Sequence, residues 1–284
     1  MKDPRHPAPR GVEVSRETRK QRGAPSASPA KLDRIAESIA EGIAINARER
    51  VARWLGETRL RPRDGFLESI EKFAATLALW GAHTNLTADA SDPAEIAFHI
   101  IDSLAPFAFA SDASRDAVEA ALAEGGTTLD LGSGAGFPGL VLGAAFAGRI
   151  TLIESRRKRA SFLQAAAHQM ALNNVAIEQR RASARTIVCE FDLVTARAFG
   201  TSVELYKIAA AALRPGGLLL LYASSGQNLS EGDPGQPFDV PQACAAHFTE
   251  PATWTYRLPH RESIAARTAA YSVLGALYGA TRAH

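Results

Sequence analysis

The stretch that decides the fold is Thr127-Thr-Leu-Asp-Leu-Gly-Ser-Gly-Ala-Gly-Phe-Pro-Gly-Leu140. It opens on five residues of strand character, Thr127–Leu131, and breaks into a turn holding Gly132, Gly134, Gly136 and Gly139. Glycine adopts positive φ without strain and lets a ligand approach the backbone, and a helix starting there offers unpaired amides. In an open α/β sheet, the carboxyl end of the first strand is where ligands sit. Working outward, Ile150–Ile153, Val175–Glu178, Phe191–Thr195 and Gly217–Tyr222 read as further strands. Helices fit between them at Leu140–Phe146, Lys158–Leu172 and Val203–Leu213, the last closed by Arg214-Pro-Gly-Gly217. This alternation implies right-handed βαβ crossovers and a parallel sheet covered on both faces. Loop and helix are expected from Pro234 to His247, and late, antiparallel strands over Thr253–Arg257 and Ala269–Leu274.

Upstream of the turn the period is helical. Leu32, Ile35, Ile39 and Ile43 predict a helix running towards Trp54, and Phe66, Ile70, Phe73, Leu77 and Trp80 form a single apolar stripe ending at Gly81, expected as its C′ residue. Ser91 or Asp92 is expected to cap a third helix with Pro93 in its first turn, burying Ile96, Ile100, Ile101 and Leu104; a fourth covers Ala113–Ala123. Residues 1–30 differ again. They carry a net +4 and five of the 15 prolines, leaving −2 on the remaining 254 residues. Such a segment buries too little apolar surface to offset its ordering entropy. The expected organisation is therefore a disordered basic arm over 1–30, a helical segment over 31–124 and a ligand-binding α/β domain over 125–284.

Composition sets limits. The 284 residues are 46% hydrophobic and 22% charged, an ordinary globular balance. No run approaches a membrane span, and residues 1–30 lack the apolar core of a secretory signal. Two cysteines, Cys189 and Cys244, make neither a disulfide scaffold nor a four-thiolate site, and they point to a reducing, cytoplasmic compartment. Cys189 is expected in the core and Cys244 on a helix. The seven histidines show no metal-like spacing, so no metal site is expected.

Glu154 stands at the end of the second strand, where a carboxylate accepts hydrogen bonds from both hydroxyls of a ribose. With the glycine turn it points to a nucleoside ligand. Gly134-x-Gly136-x-x-Gly139 also satisfies the dinucleotide fingerprint, which keeps an NAD-dependent dehydrogenase as an alternative. Phe137 and Pro138 crowd the turn a diphosphate would use, and Asp130 suits a cationic ligand end better. The electrostatics favour the sulfonium cofactor S-adenosylmethionine.

Three further stretches accompany the turn: Asn85-Leu-Thr87, His99-Ile-Ile-Asp102-Ser103-Leu104 and Phe191-Asp-Leu-Val-Thr-Ala-Arg197-Ala-Phe199. With Glu154-Ser-Arg-Arg-Lys-Arg159, in this order and at these distances, they resemble RsmG. This family, also called glucose-inhibited division protein B, comprises 16S rRNA (guanine527-N7)-methyltransferases. The resemblance covers roughly residues 64–222 and implies a Rossmann-like class I S-adenosylmethionine-dependent methyltransferase sheet with an N-terminal helical segment. It implies cofactor contacts at Gly132, Gly134, Gly136, Phe137, Glu154, Ala182, Ser183 and Arg197. His99, Asp102 and Arg197 become candidates for positioning; His99, Asp102 and Ser103 would equally serve helix–sheet packing. The chain departs from the family at Ser183, where an acid is usual, at Ser225-Gly226, where Lys-Gly is common, and over Tyr271–Ala283.

The implied chemistry needs little from the protein beyond alignment. Guanine N7 carries a lone pair and no proton, so no general base is required, and positioning alone is worth ~7–11 kcal/mol. No Asn-Pro-Pro-Tyr run and no Pro-Cys element is present, as exocyclic-amine or C5 methylation would use. Arg156, Arg157, Lys158 and Arg159 follow Glu154 and are candidates for RNA phosphates, with Arg61, Arg63 and the basic arm as further ones. The partner implied is 16S rRNA or the small ribosomal subunit, met by a monomer. A non-catalytic RNA-binding relative remains a second alternative.

Overall fold

The computed structural model describes residues 29–109, 112–197, 203–223, 240–249, 251–258 and 267–276. The arm over 1–28, Ala198-Phe199, Ser225-Gly226 and the C-terminal stretch beyond Ala276 lie outside the described residues.

Four helices precede the sheet: α1 Pro29–Gly56, α2 Phe66–Gly81, α3 Pro93–Phe109 and α4 Asp112–Leu122. The α2 stripe is legible in the sequence because Phe66, Ile70, Phe73 and Leu77 return to one face and are all buried. The end of α2 differs from expectation. Gly81 is the last helical residue and Ala82 follows in right-handed conformation, so no left-handed cap forms. The glycine is needed for closeness instead: a Cβ there would stand 2.2 Å from the Ala90 Cβ. In α1 the buried face belongs to Ala40, Ala44, Ala47, Val51 and Trp54, while Ile35 and Ile39 are exposed. Small residues win that face because α1 lies close against α2 and α3. At the start of α3, Asp92 accepts a bond from the Ala94 amide at 2.8 Å, with Pro93 leading the helix.

The sheet follows as β1 Thr127–Leu131, β2 Arg149–Ile153, β3 Val175–Glu178, β4 Phe191–Arg197, β5 Leu213–Ala223, β6 Ala252–Leu258 and β7 Arg267–Gly275. Between them run α5 Gly139–Ala145, α6 Arg157–Gln169, α7 Val203–Ala212 and a 3-10 helix, Gln242–His247. Strand order is β3-β2-β1-β4-β5-β7-β6. The first five strands are mutually parallel, and β7 runs antiparallel to both β5 and β6. This is the expected class I methyltransferase-type sheet. The segment Arg214–Gly217 was expected to close a helix; it lies within β5, beside an irregularity opposite Phe191–Leu193, with Gly216 at φ 79°.

Two apolar layers cover the sheet. One gathers buried residues of α1 to α6, and the other those of α7 and the 3-10 helix. Cys244 is buried in the second, but Cys189 is exposed, its thiol donating to the Leu213 carbonyl at 2.9 Å. It sits on the approach to β4 rather than inside the strand, which is why the core reading of it fails.

Candidate functional site

Strand order reverses at β1: its crossovers lead to β2 and β3 on one side, while β4 and β5 lie on the other, all five strands keeping one direction. A switch of this kind leaves a crevice beyond the strands' carboxyl ends. The glycine turn occupies that position. Gly132, Gly134 and Gly136 take φ of 71°, 55° and 87°, a region that side chains with a Cβ rarely enter. Its base is laced to β2: the amides of Gly132 and Ser133 both donate to the Ile153 carbonyl, at 2.9 and 3.2 Å. Gly139 meets a different demand. A Cβ on it would lie 2.6 Å from Asp130 Oδ2 and 3.0 Å from Leu152 Cγ, so only glycine lets α5 start this close to β1.

Asp130 is buried beneath the turn. Its Oδ1 accepts from the Thr195 hydroxyl at 2.8 Å, across the register pair of β1 and β4, whereas Oδ2 has no hydrogen-bond partner. Burial pushes its carboxyl up to about 6; the Ser133 and Thr195 hydroxyls, the Gly139 amide and Arg197 oppose the rise without cancelling it. Glu154, also buried, closes the other side of the turn. Its Oε2 accepts from the Gly134 amide at 3.1 Å and its Oε1 from the Arg156 amide at 2.7 Å. Each of these oxygens keeps a lone pair for a further donor.

A polar cluster stands beside the turn. Arg197, the last residue of β4, directs Nη2 to Asp102 Oδ2 at 2.8 Å and to His99 Nδ1 at 2.7 Å. His99 Nε2 lies 3.2 Å from Glu95 Oε1, one helical turn back on α3. Burial, then the neighbouring Arg197 charge, lower the imidazole's pKa, so it is neutral at physiological pH. Arg197 Nη1 is buried and without a hydrogen-bond partner. The guanidinium lies over the Phe137 ring, 5.8 Å from its centroid. Phe137 itself packs edge-on to Phe73 at 5.2 Å and against His99 at 5.1 Å, so its ring belongs to the core. Ser103 Oγ donates to the His99 carbonyl, and the Tyr222 hydroxyl donates to the Ser103 carbonyl at 2.9 Å, tying α3 to β5.

The structure thus brings Gly132, Gly134, Gly136, Phe137 and Glu154 around one turn, with Arg197, His99 and Asp102 next to it. Ala182 and Ser183 lie on the loop after β3, both half-buried. Ser183 Oγ accepts from the Arg185 amide at 3.3 Å, a turn-forming bond that the acid usual in the family would replace. Of the four cations after Glu154, Arg156, Arg157 and Lys158 are exposed. Arg159 reaches back to the Asn85 carbonyl at 3.2 Å. Arg63, a further candidate for RNA phosphates, also has a structural task. Its Nε and Nη2 donate to the Ala144 and Gly143 carbonyls at 2.9 and 2.8 Å, capping the end of α5. Arg61 likewise bonds the Thr58 and Leu60 carbonyls. Glu95 escaped the sequence reading, although its place four residues before His99 was a usable signal. Among the described residues no group of three or more His, Cys, Asp or Glu is arranged to hold a metal, and no helix is long and apolar enough to cross a membrane.

Comparison with known proteins identifies the family. Ribosomal RNA small subunit methyltransferase G of Stenotrophomonas maltophilia is 36% identical over 151 residues, which cover 52% of this chain and 65% of that protein. The proteins of the same name from Wolinella succinogenes and Coxiella burnetii are 34% and 33% identical, over 56% and 61% of this chain and 76% and 79% of theirs. The chain thus spans just under two thirds of the first of these relatives. The GidB family model, described as rRNA small subunit methyltransferase G, matches residues 66–233, more than half of the sequence and the whole of the glycine turn, Glu154 and Arg197; the chain belongs to that family.

Proposed function

We propose that this protein transfers a methyl group from S-adenosylmethionine to N7 of a guanine in the 16S rRNA of the small ribosomal subunit. The observation that carries the reading is the turn of positive-φ glycines closed by Glu154 at the sheet's switch point, with Arg197 held beside it. The residues present fit the cofactor. Gly132 is exposed at the crest of the turn, where a ligand can lie on bare backbone. Glu154 has lone pairs for ribose hydroxyls. Asp130, with one buried oxygen lacking a partner, places negative charge under the site for a cationic ligand end. Ala182 and Ser183 would border the adenine.

When bound, S-adenosylmethionine supplies a methyl group already activated on sulfur. The protein's task is alignment. Arg197, paired to Asp102 and resting over Phe137, would present fixed N–H donors to the acceptor base. His99 and Asp102 keep it in place. The exposed Arg156, Arg157 and Lys158 lie at the rim, where they would hold RNA phosphates in a salt-dependent manner. Membership of a methyltransferase family counts against the dehydrogenase alternative. The deciding test incubates the protein with small subunits lacking the modification and radiolabelled cofactor, then maps the methylated nucleotide by mass. N7-methylguanine at a single position is the expected result. No incorporation, with the cofactor bound, would select the non-catalytic alternative.

A further inference from the structure

We propose that Glu95 is a positioning residue of this site, acting through neutral His99 to fix the Arg197 guanidinium and leave its Nη1 as the donor available to the acceptor base. The inference rests on the function proposed above and assigns a task to a residue outside the motifs that identify the family.

Proton counting fixes the tautomer of His99. A guanidinium has donors only, so at 2.7 Å from Arg197 Nη2 the His99 Nδ1 must accept. A neutral imidazole that accepts at Nδ1 carries its proton on Nε2, and Nε2 lies 3.2 Å from Glu95 Oε1. Glu95 is 3% exposed and can accept that proton's hydrogen bond. Only this tautomer satisfies all three groups. Nη2 has two hydrogens, and His99 and Asp102 take one each. The guanidinium plane is then set from two directions, while buried Nη1 has no partner within the protein.

The chemistry of the acceptor says what Nη1 is for. Guanine carries O6 next to N7, and arginine commonly bonds both. Here N7 must stay free for the methyl group, so a single donor on O6 recognises guanine without masking the nucleophile. Adenine, with an amino group at that position, offers no acceptor. Without Glu95 the imidazole can move its proton to Nδ1, where it opposes Arg197 and turns the guanidinium.

The groups facing His99 are Glu95 and Asp102 from α3 and Arg197 from β4; Phe98 and Phe137 carry no charge. Two readouts are needed. Histidine 15N chemical shifts of the full chain at neutral pH report the tautomer without substrate: Nε2–H in the wild type, retained in Glu95→Gln, whose amide oxygen still accepts, and mixed in Glu95→Ala. Turnover on small subunits should fall about ten- to a hundredfold in Glu95→Ala, in kcat rather than in KM for the cofactor, with Glu95→Gln recovering most of it. Because Glu95 favours the imidazolium, its loss should also move the acid limb of the rate profile to lower pH. A wild-type imidazole protonated on Nδ1 overturns the proposal even if the alanine variant does not fold. So does an acid limb unmoved in Glu95→Ala and unchanged in His99→Asn, since that limb belongs to Asp130. Failure of the wild type to methylate rRNA would instead remove the function proposed above, while the tautomer measurement would still decide the role of Glu95.

Discussion

Asp130 sits at 1% exposure under the glycine turn, with the Thr195 hydroxyl on one oxygen and no well-formed hydrogen bond on the other, which faces Gly139. Raising a carboxyl from 3.8 to about 6 corresponds to on the order of 3 kcal/mol against the charged form. The sign follows from proton uptake. Between these values the folded chain binds more protons than the unfolded one, so this group's contribution to stability is complete below pH 4 and lost as pH rises through about 6. A buried carboxylate kept at that cost has a use if a cation arrives. S-adenosylmethionine affinity should therefore fall as pH drops through about 6, and Asp130→Asn should bind more weakly at pH 7.5 with that pH dependence flattened. Isothermal titration at pH 5.5, 6.5 and 7.5 checks this; an unchanged slope in the variant would sink the assignment. Gly139→Ala tests the packing above the same oxygen. Its methyl would meet Asp130 Oδ2 at 2.6 Å, and a loss of about 1–3 kcal/mol is expected in urea unfolding.

At the scale of elements, what the sequence reveals depends on how far apart the interacting residues lie. The α2 stripe, the Asp92 cap and the turn after β1 are local patterns, and the structure reproduces each. The late antiparallel strands were legible for the same reason. Gly81 was misread because its neighbour Ala90 is on another segment, and a glycine needed for closeness looks the same as one needed for a turn. The capping task of Arg63 was not legible because the carbonyls it caps lie about 80 residues on. In the site, Gly132 to Gly139 and Glu154 could be read directly, whereas for Glu95 the sequence offers only its place four residues before His99, and the link to Arg197 forms across 98 residues. The Arg63 cap also makes a prediction. Its Nε, its Nη2 and its own amide satisfy the carbonyls of Ala144, Gly143 and Ala145 at the end of a seven-residue helix. Arg63→Ala should cost about 1–3 kcal/mol in chemical denaturation, since charge-assisted bonds to carbonyls are lost. RNA affinity should stay unchanged, contrary to what a phosphate contact would give.

Across the whole molecule, the two apolar layers are not equivalent. The layer under α7 supports the sheet and, at its edge, Ala182 and Ala184 of the loop after β3, but does not reach Phe137; within it Tyr206 is fully buried and packs against Phe248. The layer of α1 to α6 supports the sheet and the site together, because Phe73 of α2 touches both Phe137 of the glycine turn and Phe162 of α6. The helical segment therefore contributes the floor on which the turn rests, and Arg197 lies over that floor. Phe73→Ala should cost about 3–5 kcal/mol, as expected for a ring deleted from a close-packed core. Cofactor affinity should weaken with it, since Phe137 would lose the ring that holds it edge-on. An equally destabilising truncation in the other layer, Leu205→Ala, should lower the melting temperature while leaving cofactor affinity as it was, both proteins being measured well below their transitions. If the two variants weaken cofactor binding alike, the helical segment has no special part in shaping the site, and the turn is held by the sheet alone.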